Sequence, residues 1–380
     1  MAQVARWSAD GNVRTVDTPP RTDLLGFDLE TFTAWGRALV GHAPRFHHDL
    51  YRRLMASGRF TPAESPLWQE AETTRPGTIA TLAAAAIEDQ LPPITGCITA
   101  DDPELGTTTK VLCSLADGHE VEAVLIPMHA DQHYTVCVSS QVGCRMGCSF
   151  CHTAKMGLVR SLSAHEIVAQ ALAVRRATGH APRNVVFMGM GEPLDNAPEV
   201  AAAIRVLTDP AGLAIRHRHI CVSTVGRAAV LGQWIELGFG RINLAVSLTV
   251  ADDALRNELM PVNRVHPLAE LRAALLRVPL RPGRHLLISC VVIPGVTDSA
   301  EQISRLILWL SGLPALVNLI PFNPIPSRPW RAPTTDEINA VRKQLTAAGI
   351  AVRLRLTKGE AVMAACGQLG DPAVRRRIPA

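Results

Sequence analysis

From about Tyr134 onward the chain alternates short β-rich runs with helical ones, and this alternation restricts the fold more than any other feature of the sequence. Strand candidates lie at Tyr134–Ser139, Asn184–Met188, His219–Ser223, Ile242–Leu248, Leu286–Ile293 and Leu316–Ile320. Helix candidates fall between them at Ser163–Thr178, Pro198–Thr208, Ala228–Leu237, Pro267–Arg277 and Ser299–Ser311. Such alternation argues for βα units and a parallel sheet, barrel-like or doubly wound. Six strands fall short of the eight that close a full barrel, so the expectation is an α/β fold with a partial barrel or an open sheet.

The region before this core follows a different pattern. Leu29–Val40 and Phe46–Met55 carry apolar residues at helical spacing, and Thr78–Ile87 is an alanine-rich helix candidate. Between Lys110 and Pro127, the runs VLCSL and VEAVLIP flank Asp117-Gly118, a hairpin signal. Two prolines and a glycine within Leu91–Gly96 break the helical pattern and mark a boundary. The expected organisation is a helical accessory domain at 1–95, a β-hairpin extension at 96–133, the α/β core at 134–370 and a solvated tail at 371–380.

Composition narrows the class of protein. The 380 residues are 47% hydrophobic and 19% charged, enough for a packed core and incompatible with wholesale disorder. A net charge of +4 is small for a chain that holds nucleic acid by charge alone. Only Lys110, Lys155, Lys343 and Lys358 are lysines; every other basic residue is arginine, which suits phosphate and base stacking and also follows from codon composition. Met1 to Arg14 lacks the apolar core of a signal peptide. The most apolar stretches, near Ile79–Ile87 and Leu286–Val296, are shorter than the roughly 18–20 residues that span a bilayer. Nine cysteines without a secretory signal point to a reducing cytoplasm, where thiols bind metal or react more often than they form structural disulfides.

Three of those cysteines stand together in Cys144-Arg145-Met146-Gly147-Cys148-Ser149-Phe150-Cys151. They follow the first strand of the core, at the carboxyl end, where α/β folds place their chemistry. Three thiolates from one loop can ligate an iron–sulfur cluster and, on a four-iron cubane, leave one iron open for a substrate. Two other readings exist: a zinc knuckle with His152 as fourth ligand, although adjacent ligands strain a tetrahedral site, and three core cysteines. One βα unit later comes Gly189-Met190-Gly191-Glu192-Pro193, which taken alone is only a tight turn.

The cysteine spacing resembles the signature of the radical S-adenosylmethionine superfamily, and GMGEP resembles its "GEP" motif. The resemblance implies a [4Fe-4S] cluster on Cys144, Cys148 and Cys151. It also implies S-adenosylmethionine chelated at the open iron, cleaved to a 5′-deoxyadenosyl radical, with its amino end held at Gly191 and Glu192. Longer stretches are similar to the RlmN/Cfr-type RNA methyltransferases: CVSSQVGCRMGCSFC (Cys137–Cys151), NVVFMGMGEPLDN (Asn184–Asn196), MPVNR (Met260–Arg264), NLIPFNP (Asn318–Pro324) and AACGQL (Ala364–Leu369). The likeness runs from about Val121 to Leu369 and implies a partial (β/α)6 barrel.

By this resemblance Cys366 carries a methyl group and Cys137 is its partner thiol, with which it forms a disulfide as product leaves. Glu122 in VEAVLIP matches the family's proton acceptor. Ser223, Ser247 and Asn323 match contacts to S-adenosylmethionine. The family's Ser-Leu-His reads here as Ser247-Leu248-Thr249, so the contact made by His passes to Thr249. Lys358 and Ala361 stand where Arg and Asp are commoner. Cys97, Cys113, Cys221 and Cys290 match nothing in the family and read as core. The implied activity is methylation of an adenine carbon in RNA. Carbon 2 of a 23S rRNA adenine is the first expectation and a tRNA adenine an additional target; carbon 8 or a non-RNA substrate is the alternative. The implied partners are RNA, bound by the helical accessory domain at 1–95 and by arginine-rich faces, and an electron donor of the flavodoxin type, for a cytoplasmic monomer without membrane attachment.

Overall fold

The computed structural model describes residues 3–7, 13–17, 21–128, 133–355 and 358–371, so all of the expected solvated tail at 371–380 except Asp371 lies outside the described residues. Strands β1 (Gln3–Trp7) and β2 (Val13–Asp17) pair antiparallel with each other. Helices α1 (Leu29–Val40), α2 (Pro44–Ser57), α3 (Trp68–Thr74) and α4 (Thr78–Ala85) follow. The Asp28 side chain accepts from the Thr31 N–H and starts α1; Gly58, in the left-handed region, ends α2. Phe32, Leu50, Tyr51 and Leu54 bury the apolar faces of α1 and α2 against one another.

Next come three antiparallel strands, β3 (Ile94–Ala100), β4 (Thr108–Ser114) and β5 (Glu120–Pro127). The hairpin between β4 and β5 turns at Asp117-Gly118, where Gly118 takes φ +82°. Strand β3 is additional to the expected hairpin. It is largely exposed and carries no apolar alternation to announce it. Beyond β5, the core contains β6 (Tyr134–Cys137), the antiparallel pair β7 (Gln141–Cys144) and β8 (Gly157–Ser161), α5 (Ala164–Thr178), β9 (Asn184–Phe187) and α6 (Ala197–Thr208). It continues through β10 (Ile220–Thr224), α7 (Ala228–Leu231), β11 (Asn243–Ser247), α8 (Asp253–Leu259), α9 (Leu268–Arg277) and β12 (Leu286–Val292). The last elements are α10 (Ala300–Leu310), β13 (Ala315–Pro321), α11 (Thr335–Ala347) and β14 (Ala351–Leu354).

One sheet of ten strands runs in the order β14-β13-β12-β11-β10-β9-β6-β5-β4-β3. It is parallel from β14 to β6, and β5 joins β6 antiparallel with Val124 opposite Cys137. The hairpin therefore continues the main sheet, and the outermost strands β3 and β14 do not pair, which leaves the barrel partial. Strand β14 adds a seventh parallel strand to the six expected. The expected helix Ala228–Leu237 is α-helical only to Leu231. Gly232 interrupts it, and Trp234 turns inward to pack on Phe239 at 5.0 Å between ring centroids.

Alternate strand residues point to opposite faces. Val136, Val185, Phe187, Val222, Val246, Ile288, Val317 and Leu319 are buried in the core. Residues of the other parity, among them Cys137, Met188, Cys221, Ser223, Ser247, Ser289 and Asn318, line the cavities inside the barrel. Among the described residues no helix is long and apolar enough to cross a membrane.

Candidate active site

Two cavities meet inside the partial barrel. The upper one, about 160 Å³, lies at the carboxyl ends of the strands and is bordered by Cys144, Cys148, Cys151, Gly189, Gly191 and Glu192, together with Ser223, Ser247 and Asn323. The larger, about 600 Å³, extends toward the amino ends of the strands and includes Cys137, Cys221, Arg353, Arg355 and Lys358. Met188, Ile320, Asn323, Arg355 and Cys366 border both. Cys366 thus stands at the junction of the two spaces.

The pair β7–β8 frames the cysteine loop. At its start Gly143 takes φ +74°, and a Cβ there would lie 1.9 Å from the Gly157 carbonyl oxygen, so only glycine fits. The loop docks on α8 through the Ser149 N–H, which donates to the Leu259 carbonyl at 2.8 Å. Burial pushes the Cys144 thiol up to about 12 and raises Cys148 and Cys151. Each of these groups also feels the charge of its neighbours, and Arg256 favours the thiolate of Cys148.

Among the described residues no three His, Cys, Asp or Glu side chains close on a single ion-sized point. Three thiols that border one cavity without closing on a single point fit the donor set of an iron–sulfur cluster better than that of a mononuclear ion. His152, the fourth ligand of a zinc knuckle, does not border that cavity. Its backbone N–H instead donates to the Gly367 carbonyl at 2.6 Å.

The GMGEP turn presses against the β6–β7 connection. Gly191 has φ +106°, and a Cβ there would meet Gln141 Cβ at 2.7 Å and Ser140 Oγ at 2.8 Å. Glu192 is fully buried, and its carboxylate accepts from the backbone N–H of Leu194 at 3.1 Å and of Val225 at 2.9 Å. Burial raises its pKa to about 7, against these hydrogen bonds. The Glu192 side chain is thereby committed to joining the turn after β9 to the turn after β10, and backbone groups are left to face the cavity.

Of the remaining expected contacts, Ser223, Ser247 and Asn323 border the upper cavity, whereas Leu248 and Thr249 do not. Leu248 is wholly in the core. Thr249 is buried with its Oγ1 lacking a hydrogen-bond partner, and its backbone is left-handed at φ +65°, costly for a β-branched residue.

Cys366 is held from two sides. Asn323 Nδ2 donates to its carbonyl at 2.9 Å, and Thr153 Oγ1 donates to the Leu369 carbonyl at 2.6 Å. Its segment therefore lies directly over the cysteine loop. Cys137 is buried, which pushes its thiol up to about 12, and the nearby Cys366 adds to that. Glu122 on β5 is buried beside Lys110, at 3.6 Å, and burial raises its pKa while Lys110 and the Gly370 N–H oppose the rise. Lys110 Nζ also reaches the Met363 carbonyl, so Glu122 lies beneath the segment that carries Cys366 and borders neither cavity.

Two arginines have no counterpart in the sequence analysis. Arg355, just past β14, is half-buried, borders both cavities, and is held above its ordinary range first by Cys366, against the opposing effect of burial, with Cys137 and Cys221 adding to it. Arg256 is fully buried in α8 and donates to the carbonyls of Val225, Ser247 and Leu248 and to Asn263 Oδ1. Neither sits in a motif of its own; MPVNR, which contains Asn263, is the nearest signal. The expectation for the four unassigned cysteines also needs correction. Cys113 and Cys290 are buried, but Cys97 is exposed on β3 and Cys221 borders the larger cavity. Inward and outward faces of a barrel strand are both covered, so polarity alone does not separate them. All nine cysteines are free.

Comparison with known proteins agrees with this geometry. The Radical SAM superfamily pattern matches residues 138–307. A crystal structure of a radical SAM methyltransferase from Sphaerobacter thermophilus superposes with a TM-score of 0.77 at 34% identity, covering 92% of this chain and 99% of that one. Fold and site thus define a radical S-adenosylmethionine enzyme, with the cluster and cofactor that membership implies. Two relatives named dual-specificity RNA methyltransferase RlmN are each 45% identical. That of Syntrophobacter fumaroxidans aligns over 69% of this chain and 76% of its own length, and that of Geotalea uraniireducens over 69% and 75%. The chain belongs to the RlmN/Cfr-type family of radical S-adenosylmethionine RNA methyltransferases.

Proposed function

We propose that this protein methylates carbon 2 of an adenine in 23S rRNA, and of an adenine in tRNA, through a methyl group carried on Cys366. The observation that supports it most is the position of Cys366 between the cavity bordered by Cys144, Cys148 and Cys151 and the chamber that holds Cys137. When bound on those three thiolates, the cluster and S-adenosylmethionine supply the radical that activates the methyl carbon.

The chain's own groups do the rest. Carbon 2 of adenine is an electrophilic amidine carbon, so a methyl group cannot be delivered there by simple displacement. The Cys366 sulfur, at the cavity junction that Arg355 also borders, accepts the methyl group first. Arg353, Arg355 and Lys358 give the larger chamber its positive charge, and its volume suits a base splayed out of the RNA stack. Once the methyl carbon is bonded to the ring, Glu122 takes the ring proton; its buried carboxyl, with a raised pKa, is suited to act as base. Because Glu122 borders neither cavity, the proton reaches it through a water or on displacement of the segment above it. Cys137, as its thiolate, then attacks Cys366 Sγ; the carbon–sulfur bond breaks, the methylene carbon takes that electron pair and a proton to become the methyl group of the product, and a Cys137–Cys366 disulfide remains for exchange with an external thiol.

Mass spectrometry of nucleosides from rRNA and tRNA, with and without the gene, tests this assignment. Loss of 2-methyladenosine on deletion is the expected result. Loss of 8-methyladenosine would move the chemistry to carbon 8, and no change in either RNA would refute the RNA substrate.

A further inference from the structure

Two sets of arginines in this protein contrast in their partners. Arg53, Arg145, Arg160, Arg176, Arg227, Arg305 and Arg331 all pair with carboxylates within 4 Å. A second set enters the barrel strands from below. The six residues before each of β9, β10, β11 and β12 read TGHAPR, AIRHRH, LGFGRI and LRPGRH, which contain Arg183, Arg216, Arg218, Arg241, Arg281 and Arg284 and no carboxylate. All six of these arginines are exposed, and none of them forms an ion pair among the described residues.

These residues lie close together. His217 sits near Arg241 and Arg281, and His219 near Arg183, Arg218 and Arg216; burial lowers both imidazoles, and these arginines lower them further. At the same edge Tyr134 stacks on His180, with ring centroids 4.3 Å apart. The face adjoins the larger chamber through the chain itself: Cys221 and Leu287, which border the chamber, each lie two residues past one of these loops. Arg353 and Lys358 carry the positive charge on into the chamber.

We propose that this face, the amino-terminal rim of β9–β12, docks the phosphate backbone of the RNA whose adenine enters the larger chamber. The proposal rests on the RNA substrate proposed above. Arginines free of carboxylates beside a stacked aromatic pair match a folded single-stranded segment: guanidinium forks take phosphates, and rings take bases. Dipoles of the preceding helices favour a cation only in their last turn, and these arginines lie in the loops beyond. An acidic electron-donor protein is the competing partner. From this rim, however, it would be separated from the cysteine loop by the length of the strands, roughly 20 Å for β12.

The test is a quadruple variant, Arg183→Gln, Arg218→Gln, Arg241→Gln and Arg281→Gln, in the full chain with its cluster. Binding of an unmodified 23S rRNA transcript is measured over a range of salt, beside cleavage of S-adenosylmethionine without RNA. Affinity at low salt should fall at least tenfold. The slope of log affinity against log salt should shrink by about 0.7–0.9 for each phosphate that the variant no longer neutralises. RNA-independent cleavage should be unchanged. A control with Arg305→Gln and Arg331→Gln, which removes paired arginines, should bind as the parent does. A quadruple variant with parental affinity and slope would overturn the docking face while leaving the substrate intact. A parent that neither binds nor methylates rRNA or tRNA would overturn both. Parental RNA binding with lost reduction by a flavodoxin-type donor would assign the face to a protein partner and overturn the proposal.

Discussion

Replacing Arg256 with methionine tests how the upper cavity, the proposed cofactor site, is held together. The guanidinium donates to Val225 O at 2.8 Å, Leu248 O at 3.1 Å, Ser247 O at 3.3 Å and Asn263 Oδ1 at 2.7 Å. The three carbonyls lie at the ends of β10 and β11, so one side chain fixes the spacing of the strands that present Ser223 and Ser247. Burial lowers its pKa to about 10 and leaves it charged at neutral pH. Hydrogen bonds from a charged donor contribute about 1.5–3 kcal/mol each. Against them stands the several kcal/mol that burying an unpaired cation costs, which methionine would recover. The net loss works out at about 3 kcal/mol, on the order of 5 °C in melting temperature. Thermal melting and calorimetric titration with S-adenosylmethionine are the assays, and both stability and cofactor affinity should fall. A variant that melts with the parent would refute the stability argument. One that melts lower yet binds the cofactor with parental affinity would refute the link between Arg256 and the cavity.

Gly191→Ala should weaken cofactor binding, because φ +106° and the close approach of Gln141 impose about 1–3 kcal/mol of strain on the turn, and calorimetry reads this directly. Replacing Cys144, Cys148 or Cys151 with Ala should lower iron content and abolish S-adenosylmethionine cleavage; full iron and full cleavage would remove that residue from the ligand set. Glu122→Gln should keep cleavage and lose methylated RNA, whereas parental turnover would assign the proton to another acceptor. His47, buried against Gly36, has its pKa lowered from 6.5, mainly by burial. The folded state therefore binds fewer protons than the unfolded chain just below pH 6.5, and stability should fall as pH drops through that window. His47→Gln should flatten that part of a melting-temperature profile.

The parts of the site that can be read from sequence are those whose residues are consecutive. Cys144, Cys148 and Cys151 share one loop, and Gly189 to Pro193 share one turn, so spacing alone carries their geometry. Arg355 and Arg256 act through neighbours contributed by distant strands, and their environment exists only once the barrel has curled. The six expected strands stand out because their buried faces are apolar. Strand β14, Ala351–Leu354, is short and half-exposed at the sheet edge, and α11 before it is largely polar, so neither carries a strong periodic signal. Cys221 reads as core because strand alternation gives two faces without saying which one encloses the chamber.

The division of labour between Cys366 and Cys137 is tested most directly by Cys137→Ala, incubated anaerobically with RNA, S-adenosylmethionine and reductant and run on a denaturing gel. Cys137 is proposed to act only at release, so this variant should accumulate a covalent protein–RNA adduct that nuclease trims to a nucleotide mass on Cys366. Cys366→Ala should form none. If both thiols were merely structural, each variant would show only a small loss of stability, on the order of 1 kcal/mol for a small buried cavity. An adduct in the Cys366 variant, or none in a folded Cys137 variant that still cleaves S-adenosylmethionine, would contradict the assignment.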